Sequence, residues 1–209
     1  MIVEFGELDQ RWALEAAARL ETELFGAQAW DTQTLSDEVT DASRIYLADI
    51  IDLTDAGADT ENSDTADVAD LAGSAEGNER LSDEQTEPLQ RIGTVKIMRG
   101  YAGMWHADGQ AEITTIGVAK RFQCNGIAKN LLDRLIKYAH YDSVRRIKLE
   151  VRVDNEPAQH LYRSRGFKEI GLLRHYYQPE DVDAIEMALD LEPNIMGFNS
   201  EKQNMEQQQ

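Results

Sequence analysis

The 209-residue sequence predicts one α/β domain on a mixed sheet, carrying an acidic insertion that stays outside the fold. Three observations predict it. Segments with the 3.6-residue period of amphipathic helices and segments with the two-residue period of strands follow one another in the order β-α-α-β-β-β-α-β-α-β-β. A hydrophobic content of 42% is enough to fill one core. The negative charge is also concentrated: residues 51–90 hold twelve acidic side chains against one basic residue, Arg80, and so carry eleven of the 18 net negative charges.

A short strand opens the order. In "LDQRWALEAAARLETELFG", Trp12, Leu14, Ala16, Ala17, Leu20 and Leu24 recur at spacings of three and four, and Gly26 stands in C-cap position, so this is a helix. A shorter helix, "TQTLSDEV", follows the N-cap candidate Asp31. "RIYLADII" is apolar and β-branched, the signature of a strand. The next stretch, about 54–90, is built from small and acidic residues, and no aromatic occurs between Tyr46 and Tyr101. It buries too little apolar surface to offset its ordering entropy, which predicts a disordered, solubilising insertion. The domain is therefore expected over 1–53 and 91–192, with a polar tail at 193–209.

Two strands follow, joined at "HADGQ", where Asp108-Gly109 supplies a hairpin turn. From Asn125, the residues Ile127, Leu131, Leu132, Leu135, Ile136 and Ala139 fall on one helical face. "RRIKLEVRV" alternates Ile147, Leu149, Val151 and Val153 against Lys148, Glu150 and Arg152, a strand. "DNEPAQHLYRSRGF" has an Asp/Asn cap, a first-turn proline and Gly166 at its stop, a short helix. "KEIGLLRHYY" and "DAIEMALDL" complete the sheet.

Several function classes are excluded as expectations. No window reaches the roughly 18 apolar residues of a membrane span, and the acidic start is unlike a signal peptide. A soluble cytoplasmic protein with no membrane partner is expected. A single cysteine, Cys124, leaves no disulfide framework and no multi-cysteine zinc site, and the four histidines show no metal-ligand spacing, so no metal is expected. The acidic balance argues against direct nucleic-acid binding.

The chemistry begins at "FQCNGIAKNLL", residues 122–132, where a loop becomes a helix with Gly126 and Ala128 in its first turn. Small residues there leave several backbone N–H groups uncovered, and the positive end of the helix dipole attracts a phosphate or pyrophosphate. Two readings stay open: an anion site, or a glycine that merely permits a tight strand-to-helix connection. Neither common nucleotide-loop motif is present.

Those residues resemble the Q/R-x-x-G-x-G/A motif of the GCN5-related N-acetyltransferases (GNAT), here Gln123-Cys124-Asn125-Gly126-Ile127-Ala128 followed by Lys129. Further along, "LEVRVDNEPAQHLYRSRGFKEIGLLRHYYQPEDVDAIEMALDL" is similar to the end of the RimI-type ribosomal-protein-alanine N-acetyltransferases, and "LETELFGAQAWDTQTL" to their substrate-loop region. The resemblance implies the GNAT-type sheet and acetyl-CoA as co-substrate. It places Ile116, Gly117 and Val118 along the pantetheine arm, residues 124–129 around the pyrophosphate, and Asn155 in a hydrogen bond to the cofactor. Cysteine stands at 124 where a basic residue is usual; Lys120, Arg121 or Lys129 would replace the lost contact.

The same resemblance makes Glu150 the base and Tyr162 the acid of acetyl transfer to an N-terminal α-amine, with a ribosomal protein as partner. On the residues alone Glu150 reads first as a rung in a salt-bridge ladder between Lys148 and Arg152, which would lower its pKa, and Tyr162 is equally a core aromatic. A weak base suits an α-amine: with a pKa of about 7.7 to 8.0 it is roughly a fifth neutral near pH 7.3, against about one in a thousand for lysine. Cys124 is expected to pack in the loop, and Tyr176 and Tyr177 to line a peptide channel or pack on the last strand. The alternatives are acetylation of lysine or small-molecule amines, and a non-catalytic acyl-CoA-binding module.

Overall fold

A computed structural model describes residues 1–53 and 95–192. The expected acidic insertion at 54–90, its flank to 94, and the tail at 193–209 lie outside the described residues. The elements appear in the predicted order: β1 (Ile2–Glu4), α1 (Gln10–Phe25), α2 (Thr32–Thr40), β2 (Arg44–Leu53), β3 (Val95–Ala107), β4 (Gln110–Val118), α3 (Ile127–Tyr141), β5 (Arg146–Arg152), α4 (Glu156–Ser164), β6 (Lys168–Tyr177) and β7 (Val182–Asp190). Single 3-10 turns at Phe5–Glu7, Gly26–Gln28 and Lys120–Phe122 had no periodic signal to announce them. The chain divides into two units, Met1–Ile51 with Met98–Gln209, and Asp52–Ile97; of the second, only the strand ends at 52–53 and 95–97 are described.

The strands form one mixed sheet in the order β1-β2-β3-β4-β5-β7-β6. At the β3–β4 hairpin, Asp108 and Gly109 both take positive φ (52° and 75°), the geometry a two-residue turn needs to follow the strand twist. The step from β4 through α3 to β5 is a crossover, so β4 and β5 run parallel. Strand alternation then sorts the side chains onto two faces. Ile45, Leu47, Ala111, Ile147, Leu149 and Val151 share a core with the α3 residues Leu131, Leu132 and Leu135 and with Tyr162 of α4. Tyr46, Ala48, Ile50 and Tyr101 share a second core with Ala13, Ala17 and Leu20 of α1 and Leu35 of α2. The three α3 leucines are fully buried. At about 1.5–3 kcal/mol each, they contribute as much as the whole net stability of a small domain, so α3 and the turn before it are firmly placed.

The feature that makes a site is the way the sheet parts. β3 and β4 stay paired from Ala107↔Gln110 to Gly100↔Val118, and β5 and β7 from Arg146↔Asp190 to Arg152↔Ala184. Between them, β4 and β5 pair only over Gln110↔Arg146, Ala111↔Ile147 and Glu112↔Lys148. The register of β4 on β3 jumps between Met104↔Ile113 and Gly103↔Thr115, leaving Thr114 as an extra residue. Such a bulge bends its strand and increases its twist. It follows the last β4–β5 pair by two residues, and from there the two strands diverge into a wedge. Gly103 lies opposite, where any Cβ would collide with the ring of Tyr46, so the bulge is packed from below by an aromatic.

Candidate active site

The wedge opens toward the C-terminal ends of β4 and β5, where α3 and α4 begin. Three of the four helices carry a side-chain N-cap: Asp9 accepts from the N–H of Trp12 (2.8 Å), Asp31 from Thr34 (2.8 Å) and Asn155 from Ala158 (3.2 Å). At α3 the N-cap is Gly126, which has no side chain to offer. The first backbone bond of α3 runs from the N–H of Asn130 to the carbonyl of Gly126 (3.0 Å). The N–H groups of Ile127, Ala128 and Lys129 have no partner among the described residues.

The loop before it is shaped by its own polar side chains. Gln123 donates to the carbonyl of Val118 (3.1 Å), and Asn125 donates to the carbonyls of Phe122 and Gln123 (3.3 and 3.2 Å). Cys124 (φ 61°) and Gly126 (φ 75°) take left-handed conformations on either side of Asn125. A Cβ on Gly126 would meet nothing within 4 Å, so the glycine answers to the backbone angle and leaves open space in front of the amides. Lys120, Arg121 and Lys129 are exposed around this turn. The arrangement fits a pyrophosphate: open amides, a helix N-terminus and nearby cations. Cys124 is exposed rather than packed, contrary to expectation, because its left-handed conformation turns the loop outward. On β4, Ile116 is half-buried and Gly117 and Val118 are buried; the space a Gly117 Cβ would take is occupied by Leu24 and Tyr101, at 2.8 and 3.1 Å. Asn155 uses its side-chain oxygen to cap α4, which leaves its NH2 group free at the end of β5.

The two expected catalytic residues reach the wedge from opposite faces. Tyr162 projects from α4 on the α3 side, its ring in the core against Phe167 (centroids 5.8 Å apart). Its hydroxyl has no hydrogen-bond partner among the described residues, yet no buried side-chain oxygen is left unpaired there, so the tip opens to solvent. Burial, with a smaller contribution from Tyr177, holds its pKa well above the usual phenol value. Glu150 alternates with the buried Leu149 and Val151 and so faces the other way, half-buried. Tyr177 joins the two: its hydroxyl donates to the Glu150 carbonyl (3.4 Å), and burial raises its pKa to about 12. Tyr176 stands beside it, ring to ring at 5.1 Å.

The environment of Glu150 corrects one expectation. Lys148 and Arg152 do not form a ladder with it. Lys148 binds Glu186 of β7 (2.9 Å), and Arg152 binds Asp154 through two nitrogens (3.0 Å each). The pKa of Glu150 is consequently raised, not lowered: burial acts first, then the negative charges of Glu112 and Glu186, with Lys148 opposing them. A carboxylate in this setting is a better base than the sequence suggested.

Two further residues were not anticipated. Glu21 is buried in α1, where it accepts hydrogen bonds from the Tyr101 hydroxyl and the Trp30 N–H (3.0 Å), and burial raises its pKa. Its position on the Ala13, Ala16, Ala17, Leu20 stripe was a visible signal: a carboxylate on an apolar face needs a partner. Gln28, between α1 and α2, donates to the Gln178 carbonyl (2.8 Å) and to Glu180, linking that loop to the β6–β7 turn. Nothing local in the sequence pairs these loops, which are 150 residues apart. Among the described residues no group of three His, Cys, Asp or Glu could hold a metal ion, and no helix is long and apolar enough to cross a membrane.

Residues 81–167 match the acetyltransferase (GNAT) family. The chain is 41% identical over 95 residues to the N-alpha-acetyltransferase RimI of Mycobacterium tuberculosis, covering 44% of this chain and 58% of that protein. It is 38% identical over 84 residues to the ribosomal protein bS18-alanine N-acetyltransferase of Escherichia coli K12, covering 39% and 57%. The matches thus span less than two thirds of those curated relatives. The fold is that of the crystal structure of the Escherichia coli ribosomal-protein-S18-alanine N-acetyltransferase (TM-score 0.61, 23% identity, 95% of this chain and 99% of that one). It is equally that of Arabidopsis thaliana NAA60 in complex with acetyl-CoA (TM-score 0.61, 15% identity, 91% and 98%).

Proposed function

We propose that the chain is a member of the acetyltransferase (GNAT) family and that it transfers an acetyl group from acetyl-CoA to the α-amine at the N-terminus of a protein. The acceptor is the N-terminal alanine of small-subunit ribosomal protein number eighteen, the residue named for the Escherichia coli relative. The observation that carries this reading is the parted sheet, with a basic carboxylate on one face of the wedge, a protonated phenol on the other, and uncapped helix amides at its mouth.

Acetyl-CoA supplies an activated acyl group, a thioester. Its pyrophosphate is held by the N–H groups of Ile127, Ala128 and Lys129, with Lys120 and Arg121 close by, and Asn155 donates to it from the end of β5. Glu150 accepts a proton at its carboxylate from the acceptor ammonium, leaving the amine lone pair free to attack. Tyr162, kept protonated by its burial, gives its hydroxyl proton to the departing sulfur and regains one as the new amide nitrogen loses its second proton.

Mass spectrometry of an Ala-initiated peptide incubated with the protein and acetyl-CoA tests this. Acetylation of the free peptide but not of one blocked at its α-amine is expected. Acetylation only at lysine side chains overturns the reading.

A further inference from the structure

Glu112 is the last residue of β4 to pair with β5, opposite Lys148. Aligned residues of parallel neighbours share a face: Ala111 and Ile147, one position back, are both buried on the α3 side. Glu112 therefore stands on the opposite face with Lys148 and Glu150, and Glu186 joins them from β7 through the pair Glu150↔Glu186. The nearby cations are already committed, Lys148 to Glu186 and Arg152 to Asp154 and, more loosely, Glu180. Neither Glu112 nor Glu150 has an ion-pair partner among the described residues. Tyr176 and Tyr177 of β6 complete the surroundings and carry no positive charge.

We propose that Glu112 and Glu150 together clamp the α-ammonium group of the acceptor, one carboxylate on each side of the wedge, so that the protein selects acceptors that arrive as cations. This rests on the function proposed above and concerns the acceptor side of the same site. Glu112 holds the charged group by ion pairing while Glu150 removes one proton; the neutral amine then faces the gap between the strands. A second carboxylate solves a problem that Glu150 alone leaves open. Once Glu150 has taken the proton it is neutral, and when the amine attacks the thioester its nitrogen becomes cationic again, so that only Glu112 remains to stabilise that charge until the second proton leaves. Mutual repulsion between the two carboxylates, relieved by an incoming cation, is also the source that Glu112 adds to the raised pKa of Glu150.

The test compares an Ala-initiated peptide with its lactyl analogue, in which a hydroxyl replaces the α-amine. Binding to the full chain in the presence of coenzyme A is measured by calorimetry. For Glu112→Gln, binding of the Ala peptide weakens about three- to tenfold, the range of a half-exposed charge pair, while the lactyl peptide is unaffected. Glu112→Asp retains the discrimination. Equal weakening of both peptides, or of neither, overturns the clamp. Carbon-detected NMR titration of the glutamate carboxyls, with the Glu150 signal assigned by Glu150→Gln, provides a readout without turnover. Its midpoint falls in Glu112→Gln, because the Coulomb repulsion from the neighbouring strand is removed. An unmoved midpoint also overturns the proposal. Failure to acetylate any peptide would instead remove the function proposed above, and the binding and titration results would still decide the clamp.

Discussion

Replacing Gly126 by alanine separates what this glycine does for the fold from what it does for a ligand. At φ 75° and ψ 6° an alanine in its place suffers left-handed strain of about 1–2 kcal/mol. No protein atom lies within 4 Å of the added Cβ, so no packing cost accompanies it. Gly126→Ala should therefore lower unfolding free energy in urea by about 1–2 kcal/mol, and Gly126→Asn, which tolerates this conformation, by less. The ligand effect is separate. The same Cβ is added at the N-cap, beside the start of α3, and on the pyrophosphate assignment proposed above it competes with the ligand for the open space there. Loss of one charge-assisted hydrogen bond to a phosphate, about 1.5–3 kcal/mol, weakens coenzyme A binding about tenfold or more. Pantetheine, which lacks the pyrophosphate, should bind both variants alike. Gly6→Ala, also open within 4 Å but with no positive φ, serves as the neutral control. Coenzyme A affinity unchanged in Gly126→Ala, alongside the expected stability loss, would refute the assignment of these amides to the pyrophosphate.

Tyr162→Phe is expected to lower kcat about a hundredfold or more with little change in KM, since the ring stays in its core position and only the proton donor is lost; equal kcat by steady-state assay would remove Tyr162 as the acid. Gly103→Ala places a Cβ 2.5 Å from Tyr46 Cζ and 2.9 Å from Thr114 Oγ1, so urea unfolding should show a loss of about 2–4 kcal/mol as Tyr46 is forced from its 2.7 Å bond to Glu38; a loss under about 0.5 kcal/mol contradicts the packing described. Glu21 holds its proton more tightly folded than unfolded, so its contribution to stability is present at low pH and lost as pH rises through its raised midpoint. The Tm of Glu21→Gln relative to the unaltered chain should accordingly climb as pH rises above the ordinary glutamate value of about 4.3, and a flat difference by calorimetry would contradict the raised pKa. Cys124→Ser should keep full turnover, because Cys124 is exposed in the turn before α3 and not on β5 with Glu150; its loss of activity would point to an acyl-cysteine.

How much of this was written in the chain depends on the distance over which each feature is set. α3 was legible because Leu131, Leu132 and Leu135 lie within two turns of one another, and the cap of α1 because Gly26 follows its last apolar residue. Asp108-Gly109 fixed a hairpin with two residues. Gly126 was legible as the tight turn that opens α3 for the same reason, as its left-handed φ and the next three amides are set locally. The charge state of Glu150 was not. Its sequence neighbours Lys148 and Arg152 suggested a lowered pKa, but the strand register delivers Glu186 from 36 residues downstream to claim Lys148, and Glu112 from β4. Nor was the bulge at Thr114 visible, since its cause is a mismatch between β3 and β4 that only the paired strands reveal. The link from Gln28 to the β6–β7 turn belongs to the same class.

The parted sheet also bears on why the function proposed above would need no covalent relay. A nucleophilic relay is useful where one pocket must hold the two partners in turn. Here the bulge at Thr114 lies two residues past the last β4–β5 pair and the strands are unpaired beyond it, so the two faces supply different tools to one gap. The face bearing α3 and α4 brings Tyr162 and the uncapped amides, which suit a donor with a pyrophosphate and a leaving sulfur. The opposite face brings Glu150, Glu112 and Tyr176, which suit an ammonium group. On the function proposed above, donor and acceptor would meet without displacing each other, and direct transfer through a ternary complex would follow. Everything that sets the separation of the two partners lies in the backbone: a three-pair parallel ladder on one side of Ile113 and an open wedge on the other.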